Sequence, residues 1–124
     1  MLADQTIDTY LQHLASKTST PGGGAAAGIS GAQAAALLGR VAQFSQQQPA
    51  LMQTVIDTCD YSAQTFMRLA QEDIAGFRAV MAAYGMAATD AVGKQQKQAA
   101  VQEALGAAIA APLAMIDEAM DLLP

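Results

Sequence analysis

No charged residue stands between Lys17 and Arg40, where the chain reads TSTPGGGAAAGISGAQAAALLG. An uncharged stretch this long, rich in alanine and glycine, narrows the fold to two outcomes. It crosses a membrane, or it packs as a helix against other helices. Its apolar part, Ala25 to Leu38, contains Ser30 and Gln33. It also falls short of the roughly 20 apolar residues that a span requires. A core helix is therefore expected, from about Gly24 to Ser45. It is apolar nearly all round, the mark of burial. Gly24, Gly28, Gly31 and Gly39 lie within it, and each costs about 1 kcal/mol against alanine in a helix interior. Close approach by a neighbouring helix or by a ligand is the usual offset.

The rest of the chain supports an all-α class. It has 124 residues, the size of one domain, with 52% hydrophobic and only 5% aromatic residues. Few stretches alternate with the period of a strand. A first helix is expected from Asp4 to Ser16, with Asp4 as its cap and Ile7, Tyr10, Leu11 and Leu14 on one face. His13 lies off that face, toward solvent. Lys17 to Gly23 is a turn by composition. Gln46 to Gln48 form a break, and Pro49 suits the first turn of a long third helix that runs to Tyr84. Its stripe is Met52, Val55, Cys59, Phe66, Leu69, Phe77, Val80, Met81 and Tyr84. Gly85 to Gly93 is a second loop, and a fourth helix runs from about Lys94 to Leu122. Pro112 lies inside it and predicts a kink, or a helix restart, near Ala108. The expected architecture is a compact bundle of four or five helices.

The net charge of −5 argues against a nucleic-acid partner and against an anionic membrane surface. The lone Cys59 cannot form an internal disulfide, which fits a reducing compartment and predicts a cytoplasmic protein. Its place on the stripe makes it a packed core thiol. One His and one Cys offer no cluster of metal ligands, so no metal is expected. No nucleophile with a histidine partner is evident. Lys94 and Lys97 read as a solvated helix face.

Two features carry chemistry. On a helical wheel, Phe66, Leu69, Phe77, Val80 and Tyr84 fall within about 40° of Asp73. A carboxylate is thus expected near the middle of an apolar face, where an unpaired charge costs several kcal/mol. Burial raises the pKa of such a group and fits it for acid/base work. The same position also suits an Asp satisfied by capping or by another helix. The second feature is Pro21, Gly22, Gly23 and Gly24 at the entry to the second helix. Glycines let backbone approach a ligand, and helix N–H groups favour an anionic or carbonyl group. A tight turn with close helix packing would use the same residues. No GK[ST] follows, so this is not a P-loop, and no strand precedes it, so it is not a dinucleotide-binding fingerprint.

Taken in order, LQHLASKTSTPGGGAAAGISGAQAAALLGRVA, DIAGFRAVMAAYGM and AVQEALGAAIAAPL resemble the formiminotetrahydrofolate cyclodeaminase/methenyltetrahydrofolate cyclohydrolase family, which includes the C-terminal part of formiminotransferase-cyclodeaminase. The resemblance covers most of the chain. It implies an all-helical subunit that forms a homodimer or higher assembly, with folate near the subunit interface. The family's glycine-rich motif falls on Pro21, Gly22, Gly23 and Gly24. Its aspartate–phenylalanine motif falls on Asp73 and Phe77, and its helix proline on Pro112. The implied substrate is a tetrahydrofolate derivative carrying a one-carbon unit, with no covalently bound cofactor. A cyclodeaminase closes the formimino group to the methenyl bridge with loss of ammonia. A cyclohydrolase adds water to that bridge and opens it to a formyl group. Asp73 is the expected acid/base, the glycine loop and Phe77 the expected substrate contacts, and Lys17 or Arg40 the expected partner of a folate carboxylate.

The chain departs from the family pattern in three places. Ala25 stands where a serine is frequent. Gly85, Met86 and Ala87 stand where Leu-Pro-Lys is frequent. The chain stops at Pro124, whereas family chains continue through further helices, so it is expected to be C-terminally short. Two other readings stand beside the enzyme: a homologue that binds folate or only its own copy without turnover, and a helical interaction module with no small ligand.

Overall fold

The computed structural model describes residues 1–45 and 47–123. Gln46, in the expected break before the third helix, and Pro124, the last residue, lie outside them. Among the described residues the structure is all-helical, as the composition predicts. A 3-10 turn, Leu2–Asp4, precedes α1 (Ile7–Ala15), α2 (Gly23–Phe44), α3 (Pro49–Tyr84), α4 (Ala91–Ala108) and α5 (Ala110–Leu122).

Local side-chain chemistry sets the boundaries that periodicity misplaced. The first helix is capped by Thr6 rather than Asp4, because the Thr6 hydroxyl accepts the Thr9 N–H at 3.0 Å. Asp4 instead belongs to the 3-10 turn, whose Leu2 N–H donates to Gln71 Oε1 at 2.7 Å. The fourth helix starts three residues before Lys94. Asp90 Oδ1 accepts the Gly93 N–H at 2.6 Å and so adds a turn. Of the two expectations at Pro112, the restart is what occurs. The helix lapses at Ile109 alone and resumes at Ala110. Pro112 then sits in the first turn of α5, where a missing N–H has no intrahelical partner to lose. The third helix has its expected bounds. Gln48, at φ 51°, turns the chain into Pro49.

The long α3 is the spine, and α2, α4, α5 and the 3-10 turn all pack on it. Two clusters form the core. One joins Leu2, Ala25, Ala70 and Ile74, with Tyr10 packed against it, and the other joins Ala32, Phe66, Leu69 and Met115. Cys59 is a buried thiol in α3, as its place on the stripe predicts. The stripe of α1 is a poorer guide, since Ile7 and Leu11 are exposed and only Tyr10 and Leu14 are half-buried.

The burial of α2 is one-sided rather than complete. Ala25, Gly28, Ala32, Ala35 and Ala42 are buried, while Leu37, Val41 and Phe44 are 62%, 65% and 71% exposed. Among the described residues α3 and α5 supply the main packing on α2, and its outer face is left exposed. The nearly continuous rod from Ala91 to Leu122 is, by length and composition, sufficient to cross a membrane. It turns Val101, Ala111 and Met115 inward.

Candidate functional site

The glycines of α2 decide how closely α3 approaches. A Cβ on Gly28 would lie 2.8 Å from Ala70 Cβ and 3.0 Å from the Phe66 carbonyl oxygen. One on Gly31 would lie 2.7 Å from the Phe66 ring, and one on Gly39 3.2 Å from Cys59 Cβ. The partners run backward along α3 as α2 runs forward, so the two helices are antiparallel. At the start of this seam a Cβ on Gly24 would fall inside the carboxylate of Asp73. The two sequence features, Gly24 and Asp73, 49 residues apart, therefore meet.

Their meeting point is a small pocket of about 240 Å³, lined by Ser19, Thr20, Gly22, Gly23, Gly24, Asp73 and Phe77. The N-cap of α2 is Gly22, which has no side chain to satisfy the first N–H groups. Asp73 does so from α3, accepting a hydrogen bond from the Ala25 N–H. The aspartate thus caps a foreign helix and also lines the pocket. Burial pushes its pKa above the ordinary carboxylate range, and the Ala25 N–H pulls it back down by less.

Asp73 lies at the rim of the buried face rather than at its middle. It is half-buried, and Phe77 is 43% exposed. The reason is tertiary. Because α2 begins at Gly23, opposite Asp73, α3 has no α2 to cover it beyond that point. Phe77 and Tyr84 are left open there, while Val80 and Ala83 stay buried.

Other expected contacts are not brought together. Pro21 lies in the loop, behind a cis Thr20–Pro21 bond, and does not line the pocket. Lys17 is exposed and does not line it either. Arg40 lies about 24 Å from Gly24 along α2 at 1.5 Å per residue, and its guanidinium sits over the Phe44 ring at 5.1 Å. Sequence reasoning missed three residues. Ser19 and Thr20 supply hydroxyls to the wall, and Arg78 Nε donates to Thr20 Oγ1 at 3.2 Å. The hydroxyl-rich TST before Pro21 was a usable signal. Arg78 gave none, since a charged residue on a long helix reads as solvated by default. Among the described residues no three His, Cys, Asp or Glu side chains converge as a metal site.

Comparison with known proteins bears on this geometry. A family model described as formiminotransferase-cyclodeaminase matches residues 6–124. The chain is 37% identical over 120 residues to a curated protein of Methylorubrum extorquens named methenyltetrahydrofolate cyclohydrolase. The match takes in 92% of this chain but spans only 58% of the relative's length.

Proposed function

Because the chain belongs to the formiminotransferase-cyclodeaminase family, we propose that it is a folate one-carbon enzyme, and that it hydrolyses the methenyl bridge of 5,10-methenyltetrahydrofolate with Asp73 as its acid/base. The observation that carries this reading is the meeting of Asp73 with the glycine entry of α2 around one pocket. The name of the relative favours the cyclohydrolase reaction over the cyclodeaminase one.

The chemistry follows from the site. Water adds to the methenyl carbon, and its proton passes to the Asp73 carboxylate as the C–O bond forms. The C–N bond of the tetrahedral intermediate then breaks. Asp73 returns its proton to the departing nitrogen, and the remaining hydroxyl proton goes to solvent as the formyl C=O forms. A carboxylate made more basic by burial is the better acceptor in the first step. Glycine at position 24 keeps the carboxylate reachable, because any side chain there would occupy its place. The Phe77 ring offers a flat apolar wall to a planar heterocycle.

At about 240 Å³ the pocket is smaller than the ~300 Å³ lower end of sites that enclose a whole ligand. It suits the reacting end of a folate, with the remainder lying outside. In this reading a second copy of the chain covers the open face of α2, and the Ala91–Leu122 rod packs against protein rather than lipid. That rod carries Lys94, Lys97, Glu103, Asp117, Glu118 and Asp121, charges that are costly in a bilayer. The setting is cytoplasmic.

The test is the loss of methenyltetrahydrofolate absorbance. The expected result is decay faster than in buffer, reduced roughly 10²- to 10⁴-fold by Asp73→Asn. Decay that Asp73→Asn leaves untouched would remove Asp73 from the reaction. No decay above buffer would remove the cyclohydrolase assignment.

A further inference from the structure

The proposed substrate bears carboxylates on a tail that the small pocket cannot enclose. The protein carries a net charge of −5, so an anionic tail needs a local cation. The chain has six basic side chains. Arg40 stacks on Phe44, far along α2. Arg68 is paired with Glu72 at 2.5 Å. Lys17, Lys94 and Lys97 do not line the pocket. Arg78 alone touches its wall, through Thr20.

The geometry of Arg78 suits this role. It follows Phe77 on α3 and lies about one and a half helical turns beyond Asp73, on the open stretch that α2 does not cover. Its Nε donates to Thr20 Oγ1, which ties the guanidinium to a residue of the pocket wall. Among the described residues it makes no ion pair, so both Nη groups are unused. Two parallel N–H donors are the arrangement that grips a carboxylate in bidentate fashion.

Resting on the folate reading above, we propose that Arg78 is the carboxylate-recognising residue of this site. It takes the anionic tail of the substrate at the pocket mouth, in place of Lys17 or Arg40. Thr20 positions it.

The experiment compares two substrates, 5,10-methenyltetrahydrofolate and the corresponding methenyltetrahydropteroate, which lacks the glutamate tail. In the wild-type protein the tail should lower KM. Arg78→Gln should raise KM for the glutamate-bearing substrate about ten- to a hundredfold, the range for a hydrogen bond to a charged group. It should leave kcat within about twofold, and the advantage conferred by the tail should vanish. Arg78→Lys, which keeps the charge without the fork, should recover part of that advantage. An equal effect of Arg78→Gln on both substrates, or a loss confined to kcat, would overturn the assignment and leave Arg78 as a brace for the loop. If the wild-type protein turns over neither substrate, the cyclohydrolase reading fails by itself. Equilibrium binding of 5-formyltetrahydrofolate and its tail-less counterpart then decides Arg78. A tail preference lost in Arg78→Gln supports it, while no preference, or no binding, overturns it.

Discussion

Asp73 performs two tasks that pull in opposite directions. As a cap it satisfies the Ala25 N–H at the glycine-led start of α2, and as a half-buried carboxylate it resists ionisation. Burial wins, so its folded pKa lies above the ordinary value of 3.8 that the unfolded chain would show. The folded state then holds the proton to higher pH than the unfolded state does. The stabilisation from that protonation is complete below the unfolded pKa and is lost as pH rises through the folded one. At neutral pH the ionised Asp73 weighs against folding. Asp73→Asn keeps an oxygen for the Ala25 N–H and removes the charge, so it should melt higher than the wild type at neutral pH. That advantage should shrink as pH falls through the folded pKa of Asp73. Thermal melts of both proteins across acid and neutral pH check this, and a variant less stable at neutral pH would show that the carboxylate is a net stabilising group.

The α2–α3 hairpin is held by a seam of small residues, and its glycines are not equivalent. Gly28 faces Ala70 Cβ and the Phe66 carbonyl, and Gly31 faces the Phe66 ring. Alanine at either position improves intrinsic helix propensity by about 1 kcal/mol but must push two packed helices apart. Overpacking of this kind costs about 1–3 kcal/mol, so both variants should be destabilised, Gly28→Ala the more because backbone cannot move aside as a ring can. Gly106, in the last turn of α4, has open space around it, and a Cβ there would meet nothing within 4 Å. There alanine should stabilise by about 0.5–1 kcal/mol. Denaturant melts of the three variants separate packing from propensity, and a uniform gain across them would deny the seam.

A single copy of the molecule leaves long apolar faces uncovered. Leu37, Val41 and Phe44 line the outer side of α2, and Leu113, Ile116 and Met120 are exposed along α5. Faces of this extent mark interaction surfaces. We expect light scattering at micromolar concentration to give at least twice the chain mass, and paired Val41→Glu and Phe44→Glu substitutions to return it to one. A monomeric wild type would contradict this.

The sequence by itself determined the helical class, the bounds of α3, the buried thiol at Cys59 and the two features that matter for function, Asp73 and the glycine entry to α2. These are legible because each depends on local spacing: an apolar period, a run without charge, a carboxylate set among apolar neighbours. It misplaced the starts of α1 and α4, where single hydrogen bonds from Thr6 and Asp90 outweigh hydrophobic period. Only the tertiary structure decided that Asp73 and Gly24 are in contact, that α2 is covered on one side, and that Arg78 rather than Lys17 or Arg40 reaches the pocket wall. Those outcomes depend on where one helix ends against another. That is set by the antiparallel register of α2 and α3, which no periodicity within either helix specifies.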